Sequence, residues 1–542
     1  MELEAIKARS TTESAQRALW QGFCESAAAF PGRPALEVAG SSYTYAQLYE
    51  QAASLAATLK KQDAGGETPL TAVFAYRSVT AFAGVLAALF RGHGYVPLNR
   101  TFPVERSKGM LTRSKCRAMI VDAQSERQLE VLLEGATESY VILLPERADA
   151  SELARRWPRH RFLGKADLEP ANAWGRNDFA ASKFAYLLFT SGSTGIPKGV
   201  LVSQANVQHY VKWTIKRYGI AEADRHSQTF DFTFDLSAHD MFVTWEAGAC
   251  LCCPSQKQLI KPGAFIRDSK LTIWFSVPST GVFMRRLGML KPDMYPNLRL
   301  TLFCGEALPM ETARDWAKAA PNSVIENIYG PTELTIACTA YRWNEATSPA
   351  ECVNETVPIG QPFDGMQMLV VNEELKEVPP GQDGELLMTG PQLSCGYWHD
   401  EAKTKAAFVT PPGKEAIFYR TGDRVRRPKN GEPLVYLGRI DNQVKIMGHR
   451  VELGEIEAAI RRFSGMDGVV ALGWPLNAGG ADGVVAFVET ETLDTAALSE
   501  NLKTKLPAYM IPRHFHALRS LPLNANGKYD RKALTEMLKN KL

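Results

Sequence analysis

The sequence predicts an α/β fold, a large N-terminal part of stacked sheets and helices followed by a small α+β domain. Three observations predict it. Strand-length apolar runs alternate with helix-length runs along most of the chain. At 542 residues and 45% hydrophobic content the chain exceeds what one core organises, since ~100–200 residues per domain is usual. The pattern also restarts near Asp441 with its own short strands and helices.

Taken in order, residues 70–76 read as an apolar strand, 79–90 as a helix and 95–98 as a short extended run. Residues 118–121 and 140–144 read as buried strands, and 184–190 is the clearest strand of all. Residues 149–177 are rich in Arg and Trp and weak in strand signal, and are expected to be a surface connection. Residues 249–253 hold Cys250, Cys252 and Cys253, a C-x-C-C spacing that suits a buried strand and not a zinc site. A charged turn at 426–433 contains Asn430-Gly431, and 435–437 is the strand after it. The boundary is placed at Asp441, giving a core domain over 1–440 and a second, smaller domain over 441–542. The second domain reads strand (444–446), turn (Gly448), helix (455–463), strands (468–472 and 482–488), helix (498–506) and a last loop at 522–528.

Composition excludes several classes. Lys+Arg number 62 against 59 Asp+Glu, which argues against a nucleic-acid binder. No run approaches the ~18–20 apolar residues that cross a bilayer, so no membrane role is expected. Residues 1–10 are charged and lack an apolar stretch, unlike a secretory signal. Nine scattered cysteines read as reduced thiols of a cytoplasmic protein.

The most informative run is Thr190-Ser191-Gly192-Ser193-Thr194-Gly195-Ile196-Pro197-Lys198, set between two apolar strands. Glycines let backbone N–H groups approach an anion, hydroxyls add donors and Lys198 adds charge. It is not the G-x-x-x-x-G-K-[ST] loop, and no helix is expected to begin there. In Asn327-Ile328-Tyr329-Gly330-Pro331-Thr332-Glu333 the Gly-Pro pair forces a turn that gathers a ring, a hydroxyl and a carboxylate. The ring suits stacking on a base, and the carboxylate suits Mg²⁺, which favours oxygen ligands and substrate phosphates. Asp423 closes Tyr419-Arg420-Thr421-Gly422-Asp423, where an ionised carboxylate accepts two hydroxyls. In Asn526-Gly527-Lys528 a flexible pair projects Lys528.

These motifs resemble those of the adenylate-forming superfamily: acyl-CoA ligases, luciferases and the amino-acid adenylation domains of nonribosomal peptide synthetases. The likeness spans nearly the whole chain. Tyr43-Thr44-Tyr45 to Leu48, Gly94-Tyr95-Val96-Pro97-Leu98 and Gly384-Glu385-Leu386 to Gly396-Tyr397-Trp398 resemble further core motifs. Asn99-Arg100-Thr101-Phe102-Pro103 and Ser394-Cys395 depart from the usual residues. The resemblance implies the family fold, an adenylate-forming N-terminal domain with a distorted barrel and a small mobile C-terminal domain. It also implies ATP and Mg²⁺. Tyr329 and Asn327 would serve adenine, Gly330, Thr332 and the run 190–198 the phosphates, Glu333 the metal, and Asp423 and Arg439 the ribose. Lys528, Lys198, Thr190 and Glu333 would carry the chemistry. Asp441 would be the hinge, and Gly448 would border the tunnel for a phosphopantetheine thiol. Lys445 and Arg450 are expected near the surface.

Asp235 follows an aromatic stretch at a helix start, where a carboxylate is a good N-cap. In amino-acid adenylation domains the matching aspartate binds the substrate ammonium group. The residues resembling the pocket lining are Asp235, Leu236, His239, Ser276, Leu302, Cys304, Gly305, Ile328, Ile336, Ala337 and Lys528. Large side chains narrow that pocket, and a small neutral amino acid is expected. Phe234-Asp235-Leu236-Ser237 and Phe303-Cys304-Gly305-Glu306 also resemble D-alanine:carrier-protein ligases, from which His239 and Ile328 depart. L-alanine, serine, glycine, cysteine and proline stay open, and His239 reads equally as a pocket or a packing residue. About eight residues follow Leu534, too few for a carrier domain of ~80 residues, so a separate phosphopantetheinylated carrier protein is expected. An acyl-CoA ligase for a small acid is the chief rival, and a non-catalytic adenylate sensor a further one.

Overall fold

The structure, a computed structural model, describes residues 17–62, 68–175, 183–192, 197–441, 443–477, 480–523 and 529–540. Its N-terminal part is built on two large sheets. One has seven strands in the order Arg161–Leu163, Val141–Leu143, Ala118–Val121, Leu70–Phe74, Gly94–Leu98, Phe184–Thr190, Lys198–Ser203. All neighbours are parallel except the last pair, which is antiparallel with Thr190 opposite Lys198. The other has nine strands, with Arg225–Ser227, Ile273–Ser276, Leu300–Phe303 and Val324–Tyr329 running parallel through its middle. Helices Tyr45–Lys61, Val79–Phe90, Gln204–Tyr218 and Leu236–Glu246 share one core with both sheets.

The local sequence explains these elements. Thr44 caps the helix Tyr45–Lys61, its hydroxyl accepting from the Gln47 N–H in a capping box. Ser203 does the same for Gln204–Tyr218, and Gly219, at φ 57°, ends that helix in the left-handed region. Val79–Phe90 is apolar all round and accordingly buried all round from Thr80 onward. Parallel strands buried on both faces read as continuous apolar runs, which is why residues 70–74, 118–121 and 184–190 were visible in sequence.

A five-stranded antiparallel sheet around Asp383–Thr389 and Phe418–Arg426 is the third sheet of this part. The small C-terminal part has a four-stranded sheet containing Gln443–Ile446 and His449–Glu452, and a three-stranded one of Val469–Gly473, Val484–Glu489 and His514–Leu518. Helices Leu453–Ser464, Thr495–Lys503 and Arg531–Lys539 pack on them around separate cores.

Residues 149–177 differ from expectation. Their described residues include a helix, Ser151–Arg156, and the edge strand Arg161–Leu163, and Trp174 is buried with its ring stacked 4.4 Å from Phe90. Three-residue strands carry too little periodicity to register in sequence. The nine cysteines are free thiols, and Cys250–Cys252 forms the buried strand expected of it. Among the described residues no helix is long and apolar enough to cross a membrane.

Candidate active site

Strands Phe184–Thr190, Leu300–Phe303 and Val324–Tyr329 point their carboxyl ends at one cleft. That is where open α/β sheets place ligand sites, because the loops leaving those ends converge. Thr190, Ser191, Asp235, Leu236, Cys304, Gly305, Tyr329, Gly330, Thr332, Asp423 and Arg439 line it, and so do Lys445, Gly448 and Arg450 from the C-terminal part.

At the back lies Glu333, fully buried. Arg450 Nη1 is 3.0 Å from its Oε2 and Lys198 Nζ 3.2 Å from its Oε1, which also accepts from the Tyr397 hydroxyl at 2.7 Å. Burial alone would raise the Glu333 carboxyl, but Arg450, Lys198 and Tyr397 hold it well below the usual carboxylate range. Burial, with Arg450 beside it, lowers the Lys198 ammonium.

Asp235 has the opposite surroundings. It stands just before the helix Leu236–Glu246, yet its side chain makes no capping bond. Its Oδ2 is buried without a partner. Burial pushes its pKa up to about 6, opposed by the Thr332 hydroxyl and the Ile336 N–H. That amide is delivered by a strained turn, with Thr335 at φ 57° and Ile336 at φ 73°. Gln392 braces the turn, its amide donating to the carbonyls of Leu334, Thr335 and Ala337. The Thr190 hydroxyl is likewise buried and unpartnered.

On another wall of the cleft, Arg439 Nη1 lies 2.8 Å from Asp423 Oδ1, and the Tyr329 hydroxyl donates to the other oxygen. Arg439 also bridges to Asp441 at 2.6 Å. Asn327 is spent elsewhere, donating to the carbonyls of Val357 and Pro358 at 3.3 and 2.9 Å, and does not line the cleft.

The C-terminal part closes the cleft. The Ser191 hydroxyl donates to the Arg450 carbonyl at 2.5 Å. Arg106 and Glu455 form a buried ion pair at 2.7 Å across the two parts. The Gly448 N–H donates to Glu306 Oε1 at 2.5 Å, and Gly448, at φ 80°, is so close to Val277 that a Cβ there would overlap it. Lys445 and Arg450, expected near the surface, therefore line the cleft; nothing local in a strand–turn–strand run shows which partner it will meet. Beside the cleft, a cavity of about 440 Å³ shares Phe234 and His449 with it and is also bounded by Val277, Met447 and Asp231.

Of the expected pocket residues, Asp235, Leu236, Cys304 and Gly305 line the cleft. His239, Ser276, Leu302, Ile328, Ile336 and Ala337 are buried behind them. Leu236 lines the cleft beside Gly305, its Cδ1 3.7 Å from where a Gly305 Cβ would stand. Ser193, Thr194, Gly195 and Lys528 lie outside the described residues. Sequence reasoning missed Tyr397, Gln392 and Arg106. Tyr397 stood inside a recognised motif, but the other two carry no local signal.

A sequence description of the AMP-binding enzyme family matches residues 23–398, and that of the AMP-binding enzyme C-terminal domain matches 455–528. The chain belongs to the AMP-binding enzyme family. This AMP-binding enzyme is 32% identical to tyrocidine synthase 3 of Brevibacillus parabrevis over 96% of its own length, but spans only 8% of that protein. It is 29% identical to the D-alanine--D-alanyl carrier protein ligase of Bacillus licheniformis, covering 91% of this chain and 94% of that one. Among solved structures it resembles the Vibrio cholerae adenylation domain AlmE in complex with glycyl-adenosine-5'-phosphate. The TM-score is 0.86 at 32% identity, over 98% and 99% of the two chains.

Proposed function

We propose that this enzyme activates a small neutral α-amino acid with ATP, forming aminoacyl-AMP and pyrophosphate. It then transfers the acyl group to the phosphopantetheine thiol of a separate carrier protein. The observation that carries this reading is the unpartnered Asp235 oxygen on the floor of a cleft walled by Thr190, Tyr329 and Asp423. A buried carboxylate without a partner is costly, and a substrate ammonium group relieves it. A fatty or aryl acid offers no such cation, which sets the acyl-CoA ligase alternative second. Glycine heads the candidates, because the Vibrio relative is in complex with a glycyl adenylate.

In the first half-reaction the amino-acid carboxylate displaces pyrophosphate from the α-phosphorus. Asp235 holds the amine, which aims the carboxylate at the phosphate site. Ser191, Gly192 and Lys198 stabilise the departing phosphates, with Lys528 supplying the bridging charge. Glu333, buried behind Arg450, and the free Thr190 hydroxyl in the cleft wall would hold Mg²⁺ once Arg450 withdraws from Glu333. When bound, the metal would neutralise phosphate charge.

The second half-reaction fits the arrangement described above. Arg450 occupies Glu333 with its side chain and accepts from Ser191 through its carbonyl, so one residue of the small domain covers both metal and phosphate donors. Gly448 lines the cleft between Met447 and His449, which border the adjoining cavity, a route for a thiol. Rotation about Asp441, between domains 1–440 and 441–542, exchanges this face for Lys528. The thiol sulfur attacks the acyl carbon, the bond from that carbon to the bridging phosphate oxygen breaks, and AMP leaves with that oxygen while the thiol proton passes to solvent. Pyrophosphate exchange into ATP over an amino-acid panel tests the reading. Exchange with glycine or alanine is expected, whereas exchange with octanoate or benzoate alone would refute it.

A further inference from the structure

Glu306 joins the two parts of the chain. It follows the strand Leu300–Phe303 after Cys304 and Gly305, and Gly305, at φ 96°, turns the chain out of the sheet. Its Oε2 accepts from the Ser279 N–H at 2.8 Å. Ser279 stands in the first turn of the helix Pro278–Arg286, where backbone N–H groups lack an acceptor within the helix, and Val277 before it gives no side-chain cap. Glu306 supplies that cap from another element. Its Oε1 turns the other way and accepts at 2.5 Å from the N–H of Gly448, in the turn between the small domain's strands Gln443–Ile446 and His449–Glu452.

The same helix start offers the apolar half of the seat, because Val277 is the side chain that a Cβ on Gly448 would strike. The turn therefore rests on one apolar side chain and one carboxylate, both held at the N-terminal end of Pro278–Arg286. Burial pushes the Glu306 carboxyl up, opposed by the Ser279 N–H and hydroxyl, the Gly448 N–H and the charge of Lys445. Capping the helix takes a single oxygen. Thr280, next in the helix, already donates to the Val277 carbonyl, so the second oxygen is free for the small domain.

Resting on the two-step reading above, we propose that Glu306 is a positioning residue for thiol transfer. One oxygen caps the core helix and the other seats the Gly448 turn, so that the small domain stops where the cleft meets the thiol route. Adenylate formation does not use this seat, because the rotation that brings Lys528 to the cleft takes Gly448 away. The seat needs a carboxylate, two acceptors facing two donors from different domains. A glutamine has one acceptor. Whichever way its amide turns, the closed arrangement leaves one backbone N–H facing an NH₂ group, and the open arrangement leaves none.

Two measurements on the full chain test this: pyrophosphate exchange with the amino acid that exchanges best, and transfer of that acyl group from preformed adenylate to pantetheine. Glu306→Gln should slow transfer about tenfold, ~1.4 kcal/mol, while exchange stays at the wild-type rate. Gly448→Ala displaces the same turn, so adding Glu306→Gln to it should slow transfer little further, whereas two independent defects would multiply. A folded Glu306→Gln protein that transfers at the wild-type rate overturns the proposal. So does an equal loss of exchange and transfer, and so do losses that multiply in the double variant. Should Glu306→Gln not fold, Glu306→Asp decides. It keeps the charge but is one methylene short of spanning both donors, so the same split is expected, and wild-type transfer would overturn the proposal. Exchange with no amino acid would instead remove the functional reading itself. Exchange without transfer to pantetheine by the wild type would remove its second half, and the role of Glu306 with it.

Discussion

Glu333 and Asp235 are buried carboxylates of one cleft with opposite treatment. Glu333 at the back has two cations and a phenol, one of the cations brought from the C-terminal part. Asp235 on the floor has hydroxyl and amide support but an oxygen facing no partner. A paired buried charge behaves as a joint that holds parts together. An unpaired one keeps an acceptor open toward the cleft, which under the proposed function meets the substrate ammonium group. The two together separate what assembles the cleft from what the cleft is assembled for.

The largest expected effect breaks the floor. Removing one partner of a buried ion pair typically costs ~3–5 kcal/mol. Asp235→Ala should therefore lower amino-acid-dependent pyrophosphate exchange by roughly 10²–10³-fold at ~1.4 kcal/mol per tenfold. KM for ATP should hardly move, and the des-amino acid of the same size should improve relative to the amino acid. Asp235 makes no capping bond, so the melting temperature should not drop. A loss of stability of ~0.5–2 kcal/mol with unchanged amine preference would make Asp235 a helix cap after all.

Next is the joint with the C-terminal part. Gly448 sits at φ 80° against Val277. Left-handed backbone costs ~1–2 kcal/mol for an L-residue, and overpacking ~1–3 kcal/mol. Gly448→Ala should therefore depress transfer from preformed aminoacyl-adenylate to a carrier thiol by roughly 30-fold or more. Pyrophosphate exchange, which the open arrangement supports, should be spared. Equal loss of both half-reactions would contradict two alternating arrangements.

How much of this was legible in sequence follows the same division. Residues acting through local chain geometry announced themselves: the hydroxyl–glycine run, the Gly330-Pro331 turn, the strand 184–190. Asp235 was visible too, but its role was ambiguous, since a helix start explains a carboxylate as well as a ligand does. What could not be read are pairings across hundreds of residues. Arg450 meets Glu333, Arg106 meets Glu455, and Gln392 braces the turn at Thr335 only because the chain returns there. His239 was half-legible. Its position was flagged, but its partners, Tyr210 and His226, come from other elements.

A smaller effect is expected from unpairing the joint at Glu333. Arg450→Met removes a charge-assisted bond typically worth ~1.5–3 kcal/mol. Lys198 and Tyr397 remain, so the low end applies, and thiol transfer should slow about tenfold while exchange holds. Arg450→Lys should restore part of the transfer. Stopped-flow transfer against equilibrium exchange checks the split, and a loss confined to exchange would place Arg450 in the other half-reaction.

The smallest effect is also the one in which the two carboxylates pull in opposite directions. Asp235 has a folded pKa of about 6, above its unfolded value near 4. Its charge therefore costs stability, absent below pH ~4 and fully present above pH ~6. Glu333 is held low, so it contributes stability above its unfolded pKa that is lost as the solution becomes acidic. Asp235→Asn should then gain more in melting temperature over the wild type at pH 7.5 than at pH 4.5. The substrate ammonium needs the ionised carboxylate, so kcat/KM for the amino acid should fall roughly fourfold between pH 7 and 5.5, following the ionised fraction. In Asp235→Asn that acid limb should vanish, leaving a low and flat profile. A wild-type profile that stays level down to pH 5 would mean that Asp235 is already ionised by a partner of its own, and the distinction between the floor and the back of the cleft would collapse.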